Sequence, residues 1–159
     1  MIKIRKAHSG DILQMVKVLQ DAYHKNYSAA GEFYARQELV DPNYETTSGP
    51  FYSTKMFVAE NVKSMRRRLK KPFKAFVMLD KNSIIGYIII EDHLGRTWIN
   101  DMVIKKDYQN RCLGKKLFRH ATKGKNKVYL WVNTKNPALR FWKKQGFKEL
   151  LRECLMIKD

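Results

Sequence analysis

The stretch "TWINDMVI" (97–104), followed after two lysines by "DYQNRCLGKKLFRH" (107–120), decides how this chain folds. The first part has strand character; the second is a polar turn that opens a short helix. Five of the residues 107–120 are Lys, Arg or His, and Asp107 is the only acid among them. A strand entering such a turn leaves unpaired backbone N–H groups and the positive end of the helix dipole pointing outward. That arrangement makes an anion site without any side-chain charge. Gln109, Asn110, Arg111, Cys112, Leu113 and Gly114 make up the expected turn. Gly114 would let backbone approach an anion closely, and Arg111, Lys115 and Lys116 add charge. One glycine and several cations before a helix equally suit a solvated joint, so the turn alone leaves both readings open.

Working outward, "FKAFVML", the turn "DKNS" and "IIGYIIIED" form an antiparallel hairpin, and "HLGR" turns the chain into "TWINDMVI". Upstream, "IKIRKA" (2–7) alternates as a strand, and Ser9 is a plausible N-cap for an amphipathic helix over about 11–24. Ser53 or Thr54 can cap a second helix, with Phe57, Val58, Val62, Met65 and Leu69 on its inner face. Between them, 25–52 is mixed and aromatic, with a short helix expected near 31–39. Downstream, "KGKN" ends the helix after the turn. "VYLWVN" is a strand, "PALRFWKKQ" a short helix and "LLRECLMI" a final strand. The order is β-α-α-βββ-α-β-α-β, a mixed α/β domain expected to span 1–159 as one unit.

Composition narrows the function. With 159 residues, 44% of them apolar and 12% aromatic, the chain suits one globular core. No apolar run approaches a membrane span, and the N-terminus lacks a signal peptide's hydrophobic block. Cys112 and Cys154 are far apart with no metal-ligand partners at useful spacing, so neither a disulfide framework nor a metal is expected. The expected location is the cytoplasm. The 32 Lys and Arg against 15 Asp and Glu give a net charge of +17. From Lys105 to Lys148 there are 14 Lys and Arg against one acid. Such a surface concentrates anions, whether a nucleotide-like cofactor, a nucleic acid or an acidic protein face, and it also serves plain solubility.

The segment "VIKKDYQNRCLGKKLF" resembles the pyrophosphate-binding segment of the GCN5-related N-acetyltransferases (GNAT), Gln/Arg-x-x-Gly-x-Gly/Ala after the fourth strand. Gln109 and Gly114 match its first and last positions, and Cys112 stands at the middle glycine. "LWVNTKNPALRFWKKQGFKEL" is similar to the family's fifth strand and following helix, with its Gly-Phe pair at Gly146 and Phe147. "IRKAHSGDILQMVKVLQDAY" is similar to its first strand and helix. The resemblance covers nearly everything except about 25–52. It implies a twisted mixed sheet with splayed fourth and fifth strands and helices on both faces. It implies acetyl-coenzyme A as cosubstrate, with turn amides from about Gln109 to Lys115 on the pyrophosphate and backbone of Met102, Val103 and Ile104 along the pantetheine arm. A backbone N–H near Ile104 would polarise the thioester carbonyl. Lys105, Lys106, Arg111 and Lys115 are choices for the 3′-phosphate, and Asn133 and Asn136 for the arm.

Several departures bear on mechanism. Relatives often carry a thiolate-protonating tyrosine where this chain has Trp142, whose indole N–H donates a hydrogen bond but is no practical acid. Tyr108 and Tyr129 are substitutes by residue type alone. Some relatives have a Glu-Asp pair where this chain has Asn100-Asp101, leaving Asp101 as the candidate base or acceptor-orienting group. Glu91 and Asp92 are weaker choices that suit capping a hairpin. The leading expectation is an N-acetyltransferase acting on a primary amine of a small molecule or protein by direct attack. Two alternatives are a nucleic-acid-directed acyltransferase of the same fold and a coenzyme A-binding module with weak or lost catalysis.

Overall fold

The computed structural model describes residues 1–23, 54–70, 72–132 and 136–150, apart from the side chains of 54–57 and 60. By backbone proximity the chain forms two compact units, Met1–Asn26 with Ser53–Trp131, and Tyr27–Tyr52 with Val132–Asp159. The short helix near 31–39 lies outside the described residues, and so do Asn133, Cys154 and nearly all of the expected last strand.

The first unit holds the sheet. Strands β1 (Ile2–Lys6), β2 (Phe73–Asp80), β3 (Ser83–His93), β4 (Arg96–Ile104) and β5 (Val128–Leu130) lie in that order. The first four are antiparallel neighbours, whereas β5 runs parallel to β4. Helices α1 (Ile12–Tyr23) and α2 (Thr54–Arg68) precede β2, and α3 (Leu113–Ala121) joins β4 to β5. Met15, Val16 and Leu19 of α1 and Met65 of α2 pack on Ala75, Val77, Tyr87, Ile89 and Val103. Those five side chains share one sheet face by strand alternation. On the opposite face His120 of α3 meets Phe76 edge-on, with ring centroids 5.3 Å apart, and Leu117 is fully buried.

The first helix starts differently from the expected Ser9 cap. His8 is the cap of a 3₁₀ turn, Ser9–Asp11, that leads into α1. The Asp11 carboxylate takes the His8 N–H at 2.9 Å and both guanidinium nitrogens of Arg5 at 2.6 and 2.8 Å. An acid that satisfies the orphan amide from inside displaces the serine as the organising residue. Arg5 accordingly holds this carboxyl below its ordinary range. The turn at "HLGR" is a two-residue hairpin with both central residues left-handed, Leu94 at φ 48° and Gly95 at φ 72°.

In the second unit, helix α4 (Leu139–Lys144) is short. The Asn136 side chain receives the Ala138 N–H at 2.9 Å, and its carbonyl receives the Leu139 N–H. Gly146 closes the helix at φ 90°, sending its N–H to the Lys143 carbonyl. That left-handed position is one glycine adopts without a Cβ penalty.

Candidate active site

Among the described residues, strands β4 and β5 pair at Thr97↔Val128, Trp98↔Tyr129 and Ile99↔Leu130. Beyond Ile99, β4 runs on to Ile104 beside β3, and among the described residues its other edge has no strand neighbour from Asn100 onward. The parting coincides with a β-bulge. Ile90 faces Ile99 while Ile89 faces Asp101, which makes Asn100 an extra residue in β4. In a regular strand Trp98 and Asp101, three apart, would point to opposite faces; the bulge puts both on the face covered by α1 and α2.

The direction of the β4 backbone groups follows from one bond. Lys105 donates its N–H to the Ile85 carbonyl at 2.8 Å. Hydrogen-bonded pairs alternate in an antiparallel ladder, so Val103 and Asp101 also turn their backbone groups to β3, and Met102 and Ile104 turn theirs away. Of the three residues expected along the pantetheine arm, Val103 therefore has its backbone groups committed to Tyr87. Met102 and Ile104 face the open edge. The Ile104 carbonyl is taken by Gln109 Nε2 at 2.9 Å, which leaves its N–H on that edge.

After a 3₁₀ turn, Lys106–Tyr108, the chain enters α3. Gln109 gives its own N–H to the Lys106 carbonyl. Main chain and side chain together make Gln109 a brace of the turn rather than one of the expected open donors. Asn110 and Cys112 are left-handed at φ 60° and 56°, and Cys112 is the N-cap with no side-chain capping bond. The first intrahelical bond runs from Lys116 to the Cys112 carbonyl. The N–H groups of Leu113, Gly114 and Lys115 thus have no carbonyl within the helix. Leu113 and Gly114 belong to the first turn of α3, not to the preceding loop. The helix carries Lys115, Lys116 and Arg119 exposed. The Arg111 guanidinium lies 5.4 Å from the centre of the Tyr108 ring.

Asp101 is enclosed. Tyr87, fully buried, donates its hydroxyl to Asp101 Oδ2 at 2.7 Å, and Arg68 Nη1 at the end of α2 stands 3.7 Å from the same oxygen. Burial pushes the carboxyl above the ordinary aspartate value, opposed by the Tyr87 hydroxyl, the Arg68 charge and the Met102 N–H. The side chain still keeps 21% of its surface open, enough to be reached by a small donor. Sequence reading passed over Tyr87 and Arg68. The signal for Tyr87 was a lone hydroxyl in the buried run "IIGYIII", which must find a partner. Arg68 is three residues after the buried Met65, on the inward side of an otherwise exposed arginine run.

The weaker carboxylates have other tasks. Asp92 binds Lys74 at 2.7 Å, Lys125 at 2.7 Å and the Thr97 hydroxyl at 2.7 Å, and these partners hold it far below the usual carboxylate range. Glu91 accepts from Asn100 Nδ2 at 3.2 Å. Tyr108 gives its hydroxyl to Asp80 at 3.2 Å, which raises its pKa and makes it a poorer acid. Tyr129 stacks on Trp98. In the second unit, Trp142 is buried and meets Phe141 and Phe147 edge-on, with centroids 4.8 and 5.3 Å away. Among the described residues there is no cluster of three or more metal-ligating side chains, and no helix is long and apolar enough to cross a membrane.

A family model for the acetyltransferase (GNAT) domain matches residues 71–149. No curated protein matches the chain. Among solved structures, the PaiA N-acetyltransferase of Thermoplasma acidophilum, in complex with coenzyme A, superposes with a TM-score of 0.64 and 21% identity, covering 93% of this chain and 90% of its own. A GNAT-family acetyltransferase from Staphylococcus aureus gives 0.68 at 14% identity, covering 96% and 87%. The ribosomal-protein-S18-alanine N-acetyltransferase of Escherichia coli gives 0.60 at 16% identity, covering 95% and 80%.

Proposed function

Because this chain belongs to the GCN5-related N-acetyltransferase family, and is thereby an acetyl-coenzyme A-dependent acyltransferase, we propose that it acetylates a primary amine by direct attack on the thioester. The observation that carries this reading is the parting of β4 from β5 after Ile99↔Leu130, next to an uncapped start of α3. The diphosphate of the cosubstrate would take the amides of Leu113, Gly114 and Lys115, where both orphan donors and the helix dipole favour negative charge. The pantetheine arm would run along the open edge of β4, on the main-chain groups of Met102 and Ile104. The Ile104 N–H is a fixed donor for the oxygen that becomes negative when the carbonyl is attacked.

Asp101 is the proposed proton acceptor. The amine nitrogen bonds to the carbonyl carbon, the C–S bond breaks, and the ammonium proton passes to Asp101 directly or through water. Tyr87 and Arg68 hold that carboxylate in place. Its elevated pKa makes it a stronger base than an ordinary aspartate at neutral pH. The coenzyme leaves as a thiolate, tolerable for a thiol of pKa about 8.5, so the reaction proceeds without an acid at Trp142. Thiol release from acetyl-coenzyme A across a panel of amines, peptides and tRNA tests the proposal. Release with at least one amine, lost in Asp101→Asn, supports it; coenzyme binding without release from any acceptor refutes it.

A second reading is favoured by the exposed cations Lys115, Lys116, Arg119 and Lys123 on and after α3. They would suit a nucleic acid that carries the acceptor amine, and the tRNA in the panel separates the two.

A further inference from the structure

Three rings on the Asp101 face of the sheet have no part in the chemistry above. Trp98 of β4 stacks on Tyr129 of β5, with centroids 5.1 Å apart and planes at 30°. Trp131, the residue after the last paired position, stacks on Trp98 at 6.3 Å and 17°. The Arg96 guanidinium lies 5.6 Å from the centre of the Tyr129 ring. Together they form a row that begins at a cation and ends at Trp131, which is 65% exposed. Tryptophan is highly buried on average, and among the described residues no further ring continues the stack beyond Trp131, so its π-face is suited to receive one.

Position says what such a partner does. The row lies on the face that carries Asp101, and Glu91 stands opposite Trp98 on the same face. Helix α3, whose start would hold the coenzyme's diphosphate, packs on the other face. A ligand on the row therefore reaches Asp101 without competing for the anion site. A free polycation is disfavoured by the net charge of +17. Glu91 and Asp101 give this face the local acids that suit one ammonium group.

We propose that Trp131, backed by Trp98, Tyr129 and Arg96, is a stacking subsite for a flat aromatic ring carried on the acceptor, a short chain separating ring and amine. The assignment rests on the acetyltransferase reading for the amine, and on the ring row alone for the aromatic group.

The test compares phenethylamine with its saturated isostere cyclohexylethylamine in the full chain, by thiol release with acetyl-coenzyme A and by tryptophan fluorescence without it. Phenethylamine should show the higher kcat/KM by about tenfold, the upper range for an aromatic pair. Trp131→Leu should bring the two within about twofold and Trp131→Phe should restore the gap, with circular dichroism unchanged in both variants. Equal rates for the two amines, or a gap unmoved by Trp131→Leu, overturn the proposal. If neither amine releases thiol, fluorescence quenching by phenethylamine that is lost in Trp131→Leu supports the subsite, and the transferase reading falls only if the wider panel releases no thiol either. Absence of that quenching overturns the subsite. So does fluorescence that responds only to protein concentration, which marks a second copy, or only to a single-stranded oligonucleotide.

Discussion

Cys112 stands in the left-handed region at φ 56° with a full side chain, a conformation that costs an L-residue roughly 1–2 kcal/mol. The fold nevertheless keeps it there, because the reversal from the Lys106–Tyr108 turn into α3 needs that backbone. Cys112→Gly should raise stability by about 0.5–1 kcal/mol, the relief being partly offset by a freer unfolded chain; urea unfolding measures it. Asp101 makes a second residue-scale prediction. Its carboxyl titrates above the ordinary aspartate value because it is buried, so the folded state binds the proton more readily than the unfolded one. Between the two pKa values stability falls as pH rises, while the fraction of active base increases. The pH profile of kcat/KM should show an acidic limb above the usual aspartate range, and Asp101→Asn should flatten it while lowering the rate about 10²-fold or more.

At the scale of elements, β3 and β4 are pressed together at one point. A Cβ on Gly86 would come within 2.5 Å of Ile104 Cδ1 and 2.8 Å of the Val103 carbonyl oxygen. The second contact is backbone and cannot swing aside. Gly86→Ala should therefore push β4 outward, costing about 1–3 kcal/mol, and weaken coenzyme binding because Ile104 moves with it; isothermal titration reads the second effect. Gly114→Glu sets a carboxylate among the open amides of α3, and should abolish the thermal shift given by acetyl-coenzyme A while leaving the circular dichroism intact. Much of this was legible beforehand. Alternation and turn residues mark β1 to β4, and the polar turn marks the start of α3. The bulge was hidden, since "WINDMV" alternates no worse with an extra residue than without one. The length of β5 was hidden too. "VYLWVN" has strand character throughout, yet its pairing stops at Leu130, a tertiary fact that local propensity does not carry. The partners of Asp101 come from β3 and from the end of α2, and only the folded sheet brings them together.

Across the whole molecule, charge is the dominant property. A surplus of 17 positive charges raises the local concentration of anions, acetyl-coenzyme A among them, and speeds their encounter. It also predicts adventitious binding of polyanions. Nucleic acid bound through phosphates alone should dissociate steeply with salt, by about 0.9 log units of affinity per contact per decade on duplex DNA. A fluorescence anisotropy titration at several ionic strengths checks this. A shallow slope would mean that the cations on α3 do not grip phosphates, and would leave the coenzyme as the anion they serve.

The extra residue at Asn100 sits where β4 parts from β5 and bends the strand there without deciding which face carries Asp101. Loss of that one codon would mend the ladder and leave a tidier strand, so ordinary measures of foldedness would register little harm. The carboxylate after it would still face Ile89, on the same side of the sheet as Tyr87, because the pairs on either side of the bulge are already consecutive rungs of the ladder. What a single in-frame step would remove is the local kink and added twist of β4 at the point where it leaves β5, not the side on which its acid stands.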